Sequence, residues 1–166
     1  LLFQLAADWQ VEYDAIAELV AATAILYVDE TGWKIGKRSC YTWIFSTLST
    51  VLLKCGVGRG KAVLTEVLGE RFGGIGVTDD NNRSERQART EAMARKAART
   101  SKTERGARRR SVIMSVLASL SKRLDGFTLG NVLTEINRWF ETGRSVFQEE
   151  LAKLHHATGP PSTAET

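Results

Sequence analysis

The sequence predicts an α/β fold in which about four strands form a sheet and a helical segment follows. Three observations predict it. Apolar runs of strand length lie before Thr78, and apolar residues recur at helical spacing after Asn82. The composition, with 43% hydrophobic residues in 166, suits one globular domain with a core of its own.

Four short segments have the length and composition of strands. The first, Ala24–Val28, is apolar and ends abruptly at the polar run that begins with Asp29. Tyr41–Ser46 and Thr50–Cys55 are separated by a short linker, which predicts a hairpin between them. The fourth strand is predicted at residues 74–78 and stops at two aspartates.

Helices are predicted before, between and after these strands. Residues 2–22 and 60–68 carry apolar side chains at helical spacing, and three further helices are predicted at residues 84–98, 109–124 and 129–140. The residues of the last helix that are expected to point inward are Leu129, Val132, Leu133, Ile136 and Phe140.

The order of these elements fits the first part of a ribonuclease-H-like fold, in a truncated form. In that fold, acids at the ends of adjacent central strands can converge. Residues 1–82 are therefore predicted to form a partial ribonuclease-H-like catalytic core. Residues 83–154 would be the basic helical part of the same domain, and residues 155–166, rich in small and polar residues, a disordered tail.

Positive charge is concentrated in one segment. Residues 83–110 hold eleven Lys and Arg and three acids, whereas the whole chain has a net charge of +4. Such a block indicates a polyanionic partner, bound through phosphates and without base reading, although an ordinary solvated helix face would carry similar charge. The residues predicted to bind DNA are Arg86, Arg89, Arg95, Lys96 and Arg99.

The two cysteines, Cys40 and Cys55, lie in apolar strand-like segments without the spacing of a metal site. They are expected to be buried thiols in a reducing compartment, and the chain is expected to be cytoplasmic and associated with the nucleoid. No apolar run approaches the ~20 residues that a membrane span needs, so no membrane partner is expected.

Three motifs resemble, in order, those of the insertion-sequence-66 family of transposases. Tyr27–Trp33 is similar to the family's ADETGW motif, and the strand that carries Trp43 continues the likeness. A helix opened by Arg59-Gly60-Lys61 and leading to Asp79 resembles the next block. Residues 80–96 resemble a third block of the form DNNxxERxxR…RK. The resemblance covers roughly residues 11–124.

The resemblance implies a metal-dependent DNA transposase of the DDE type. The family's acidic triad corresponds to Asp29, Asp79 and Glu85, which would bind two Mg²⁺ (or Mn²⁺) ions. Two such ions about 4 Å apart activate a water or a 3′-hydroxyl and stabilise the leaving oxygen. The implied partners are transposon-end DNA and further copies of the chain in a synaptic complex.

The spacing of the last two acids departs from the family. A long segment normally separates the second aspartate block from the third, whereas Asp79 and Glu85 are six positions apart here. We infer an internal deletion with its junction close to Asp79–Asp80, so that either aspartate could be the second acid.

Each acid also has a simpler interpretation. Asp29 could cap a turn, Asp79 and Asp80 could mark a solvated loop after a strand, and Glu85 could close a capping box with Asn82 at a helix start. Two hypotheses follow: an enzyme that cleaves and transfers DNA strands, or a catalytically dead remnant that binds DNA or a transposase partner.

Overall fold

The apolar segments before Thr78 pair into one mixed sheet of four strands. The computed structural model describes residues 2–78 and 101–157. The strands are β1 (Ile25–Ile35), β2 (Arg38–Ser46), β3 (Val51–Val57) and β4 (Ile75–Thr78), in the order β3-β2-β1-β4. The pairs β1–β2 and β2–β3 are antiparallel, and β1–β4 is parallel. The α/β class predicted from the sequence is confirmed.

Six helices accompany the sheet in the described residues. They are α1 (Leu2–Asp8), α2 (Gln10–Ala21), α3 (Lys61–Leu68), α4 (Glu104–Arg123), α5 (Leu129–Thr142) and α6 (Val146–Ala157). Thr103 caps the N-terminus of α4, and its hydroxyl accepts a hydrogen bond from the Gly106 N–H at 3.0 Å. Thr128 caps the N-terminus of α5 in the same way, and Gly143, which has a φ of 69°, caps its C-terminus.

The two faces of the sheet carry separate apolar clusters. The first face bears Val28, Phe45 and Leu52 and packs against residues of α2 to α6. The second face bears Trp33, Ile44 and Leu53, and among the described helices only α4 contributes to its cluster. Because side chains alternate along a strand, neighbouring residues of β1 belong to different faces.

Helix α4 covers the outer edge of β3 through three serines. The N–H groups of Val51, Leu53 and Cys55 donate to the hydroxyls of Ser119, Ser115 and Ser111, at 2.8, 2.8 and 2.9 Å. Four helical residues rise ~6.0 Å and two strand residues ~6.7 Å, so serines at every fourth position can follow alternate N–H groups for three steps. This contact satisfies an edge that would otherwise expose unpaired backbone groups.

The pairing of β1 with β2 adds a second hairpin to the predicted one, and β1 is longer than the predicted first strand. β1 does not end before Asp29, as expected, but continues to Ile35 and forms a second hairpin with β2. Gly36 and Lys37 form the tight turn of this hairpin, where Gly36 has a φ of 57°. Asp29 therefore lies inside a strand.

The helices differ from the predictions in three respects. The helix predicted at residues 2–22 is interrupted at the buried Trp9. In α5, Val132 is buried as expected, but Leu129, Leu133 and Phe140 are exposed, because Trp139 takes the inward position. Helix α6 includes residues 155–157, which were expected in the disordered tail. The helix predicted at residues 84–98 and the remaining tail, 158–166, lie outside the described residues.

Candidate functional site

Asp29 lies on β1, one of the two central strands of the sheet. It pairs with Ile44 of β2, and its side chain therefore belongs to the second face. The preceding residue, Val28, pairs with Thr78 at the end of β4. Asp29 thus directly follows the last paired position between β1 and β4.

The carboxylate of Asp29 is oriented by its own backbone neighbour. The Glu30 N–H donates to Asp29 Oδ1 at 2.7 Å, and the residue is half-buried. A half-buried carboxylate offers hard oxygen donors of the kind that Mg²⁺ and Mn²⁺ prefer. In its chemistry Asp29 therefore fits the metal ligand that the family resemblance implies.

The adjacent acid, Glu30, has a different environment on the first face. It forms an ion pair with Arg59, and the Arg59 guanidinium lies 5.6 Å from the centre of the Tyr41 ring. The Trp43 indole N–H donates to the Gly58 carbonyl at 3.0 Å, which fixes the same loop against β2. Glu30 therefore links the loop before α3 to the sheet. The carboxylates of Asp29 and Glu30 lie on opposite faces of the sheet.

The other residues that the sequence assigned to the site lie outside the described residues. These are Asp79, Asp80 and Glu85 among the acids, and Arg86, Arg89, Arg95, Lys96 and Arg99 among the DNA-binding residues. Of the predicted triad, only Asp29 has a described position. Within residues 2–78 and 101–157, no group of three or more His, Cys, Asp or Glu could hold a metal ion.

A cluster of cations at the start of α4 was not assigned to the site from the sequence. Arg105 and Arg109 lie over the Phe3 ring, with the guanidinium carbons 5.0 and 4.1 Å from its centre. Arg110 lies 4.9 Å from the centre of the Trp33 ring, on the second face of the sheet. Lys102, Arg109 and Arg110 line one cavity of about 440 Å³. The signal in the sequence was the run of three arginines, which had been counted only as part of the basic block.

The tip of the β1–β2 hairpin is attached to this cluster. The Gly36 N–H donates to the Ser101 carbonyl at 3.2 Å, and Ile35 forms an isolated parallel bridge with Ser101. Arg38 forms an ion pair with Glu104 at 2.8 Å. Two segments that are far apart in the sequence are thereby brought into one surface.

Both cysteines are buried, and neither forms a disulfide, as the sequence predicted. Cys40 and Cys55 belong to the cluster on the second face. Trp33 and Trp43 are buried as well.

Comparison with known proteins finds no relative of this chain. No protein-family model, no curated protein and no solved structure matches it. None of the helices in the described ranges is both long and apolar enough to cross a membrane.

Proposed function

We propose that the chain is the shortened catalytic part of a DDE-type transposase, with a truncated ribonuclease-H-like sheet and Asp29 as its first catalytic acid. The strand order supports this proposal: an antiparallel meander of three strands, followed by a parallel fourth strand beside the first, with an acid on the first strand. The three family motifs quoted above give the reason to prefer a transposase over other enzymes that use a similar sheet.

One observation carries the proposal. Val28 and Thr78 are paired residues of adjacent parallel strands, and each is followed in the sequence by an aspartate, Asp29 and Asp79. Aspartates that directly follow paired residues of neighbouring parallel strands are suitable ligands for a shared divalent-metal site. Glu85 is the proposed third ligand.

The described residues support a defined task for Asp29. Its Oδ1 is already held by the Glu30 N–H, so the side chain has a fixed direction before any ligand binds. A pair of Mg²⁺ or Mn²⁺ ions, held by Asp29, Asp79 and Glu85, would activate the attacking water or 3′-hydroxyl and stabilise the leaving oxygen. Asp29 lies on a strand rather than in a loop, so its carboxylate would hold a metal ion in a well-defined position. Misplacement of a catalytic group by ~1 Å can cost about 100-fold in rate.

The proposal is tested with a supercoiled plasmid and the purified chain, with Mg²⁺, with Mn²⁺ and with EDTA. We expect nicking that depends on the divalent metal and is lost in Asp29→Asn. Metal binding is measured separately by titration calorimetry. Asp29→Asn should bind Mn²⁺ at least about 10-fold more weakly than wild type, because the proposed site consists of carboxylate ligands.

Glu30→Gln is the matched control, because it removes the neighbouring carboxylate from the opposite face of the same strand. This variant should keep both nicking and metal binding. A wild-type chain that binds no divalent metal and cuts no DNA would refute the enzymatic proposal.

A second candidate function is a catalytically dead remnant that binds DNA or a transposase partner. The observation in its favour is the cluster of arginines at the start of α4, one of which, Arg110, lies against Trp33 on the same sheet face as Asp29. It predicts DNA binding that weakens steeply with salt and does not respond to Asp29→Asn. Charge reversal at Arg95, Lys96 and Arg99 should weaken that binding, and unchanged affinity would contradict it.

A further inference from the structure

We infer that the solvent-facing side of α5 binds a second copy of this chain, so that two molecules form a two-fold symmetric dimer in the absence of DNA. The surface consists of four apolar residues of α5, which we call the outer stripe, and of an apolar cavity beside them. The outer stripe is Leu129, Leu133, Ile136 and Phe140. The inference goes beyond the proposed function and does not depend on it.

The outer stripe has the spacing of a helix–helix contact. Its residues are separated by four, three and four positions, as in the seam of a coiled coil. Each residue turns a helix by about 100°, so the four side chains fall within about 60° of one another and extend over ~16 Å of the axis. Leu129, Leu133 and Phe140 are 75%, 50% and 83% exposed. They are exposed because α5 is held to the core by another pair of residues, Val132 and Trp139.

The cavity beside the outer stripe can hold an aromatic ring. It measures about 380 Å³. The residues of its apolar lining include Leu5, Trp9, Leu133, Ile136 and Trp139. A dry apolar cavity of ~150 Å³ is already large enough to bind benzene. Phe140 lies at the rim of the cavity and is largely exposed. The same surface thus carries an exposed aromatic side chain and an apolar cavity into which such a side chain fits.

The wall of the cavity is held in place before any partner binds. The Trp139 indole N–H donates to Glu135 Oε1 at 2.7 Å. The Trp139 ring contacts the Phe147 ring edge-on, with 5.9 Å between their centres. Trp9 is buried as well. Because these side chains are already ordered, little conformational entropy is lost when the cavity is filled.

A surface with both features is complementary to itself. In a two-fold symmetric dimer each contact occurs twice, so the Phe140 ring of each copy enters the cavity of the other. A symmetry axis close to Ile136 places Phe140 opposite Leu133 of the second copy, because Ile136 lies near the midpoint of these two positions. A second copy supplies both the ring and the cavity, which is the reason to prefer it over a partner of unrelated sequence.

The charges around the outer stripe do not oppose this contact. Two copies present the same charges to each other, so a face of one sign would repel its own copy. The helix positions nearest to the outer stripe on its solvent side, Gly130 and Asn137, are uncharged. The exposed charged residues at the rim of the cavity are one acid and one base, Asp8 and Arg144. The charges of this pair cancel.

The size of the surface predicts a weak dimer. An aromatic side chain can bury ~150–250 Å², so Phe140 at 83% exposure offers roughly 120–210 Å². Even with Leu129, Leu133 and the cavity lining, the face stays below the ~800 Å² per partner of a standard interface. We therefore expect a reversible dimer with a dissociation constant on the order of 10 µM.

Sedimentation velocity of the purified chain, free of nucleic acid, tests the inference at concentrations from about 1 to about 200 µM. High salt ensures that DNA does not bridge the molecules. Phe140→Ala should raise the dissociation constant at least about 30-fold, the size of an interface hot spot, and Leu133→Ala at least about 5-fold. Alanine favours the helix, so both variants should fold, and circular dichroism checks this.

Leu48→Ala is the matched control, because Leu48 is 75% exposed on the turn between β2 and β3 and lies outside the outer stripe. It should dimerise as wild type does. Asp29→Asn should also dimerise normally, because α5 packs with the cluster on the first face of the sheet and Asp29 lies on the second. Loss of the proposed enzymatic activity and loss of the dimer are therefore separate outcomes.

Any of three results contradicts the inference. The first is a wild-type chain that stays monomeric at about 200 µM, in which case the face does not bind a second copy. The second is a Phe140→Ala or Leu133→Ala variant that dimerises as strongly as Leu48→Ala. The third is a loss of dimer in Leu48→Ala as large as the loss in Phe140→Ala.

Discussion

The contact between α4 and the edge of β3 predicts a specific loss of stability in Ser115→Ala. The Ser115 hydroxyl accepts the Leu53 N–H at 2.8 Å and donates to the Ser111 carbonyl at 2.6 Å. Ser115 is fully buried, and Leu53 is 1% exposed. Water therefore cannot replace the lost hydroxyl as the acceptor of the Leu53 N–H.

The magnitude follows from two opposing effects. A buried N–H group without an acceptor costs ~1–3 kcal/mol. Alanine is a better helix former than serine by up to ~0.5 kcal/mol, which offsets part of this cost. We expect the free energy of unfolding to fall by about 0.5–3 kcal/mol, which for a chain of this size lowers Tm by roughly 1–12 °C.

Urea denaturation measures the global effect, and amide hydrogen exchange at Leu53 measures the local one. Ser121→Ala is the matched control, because Ser121 is an exposed serine of the same helix and bonds only to a helical carbonyl, that of Ala118. It should be neutral or slightly stabilising. If Ser115→Ala changes the free energy of unfolding by less than Ser121→Ala does, the serines do not stabilise the strand edge.

Three further changes have defined outcomes. In a urea titration, Gly56→Ala should lower the free energy of unfolding by about 1–3 kcal/mol, because Gly56 has a φ of 80° and a new Cβ would lie 2.5 Å from Ile35 Cδ1. Gly58→Ala should have little effect in the same titration, because a new Cβ at Gly58 would have no neighbouring atom within 4 Å. Thr103→Ala should cost about 1 kcal/mol by removing the cap of α4, while Thr103→Ser keeps the hydroxyl and should be close to wild type in a thermal melt. Burial raises the pKa of the Glu12 carboxyl above its ordinary 4.5, so the folded state binds this proton more tightly than the unfolded chain does. Ionisation of Glu12 therefore lowers the stability of the wild type as pH rises from 4.5 through the raised pKa. Glu12→Gln cannot ionise and should gain stability relative to wild type over that range. Urea midpoints of the two proteins that change with pH in parallel would contradict this.

The strands were predictable because their apolar runs are short and bounded by polar or glycine-containing turns. The end of β1 was not, because residues 29–32 look like a loop by composition. They are strand residues because β2 supplies backbone partners on one side through a tight hairpin. Local propensity is overridden here by pairing across the sheet.

The contacts of the helices were only partly predictable. In α4, Val112, Val116 and Leu120 are buried as their spacing indicates. The serines at 111, 115 and 119 carried a signal in their regular spacing, but their hydroxyls acquire a role only beside an open strand edge. In α5, the apolar stripe indicated a helix correctly, yet only the partners of that helix decide which of its apolar residues are buried.

The position of Asp29 and the contact between the β1–β2 hairpin and the start of α4 illustrate two limits of reading a site from sequence. The motif around Asp29 indicated the residue but not the face of the sheet on which its carboxylate lies. The contact joins two segments that no local pattern relates, and it includes the hydrogen bond from the Gly36 N–H to the Ser101 carbonyl.

The difference between the two edges of the sheet makes the fold extensible in one direction. β3 has its outward N–H groups bonded to serines, so no further strand can be added there without displacing α4. β4 is only four residues long, and Ile75 is 67% exposed; no strand of the described ranges pairs with its far side. A segment spliced in directly after Thr78 could therefore enlarge the sheet beyond β4 and leave the hairpins, the serine contacts and Asp29 undisturbed. Long and short versions of the same architecture could then differ at that one junction.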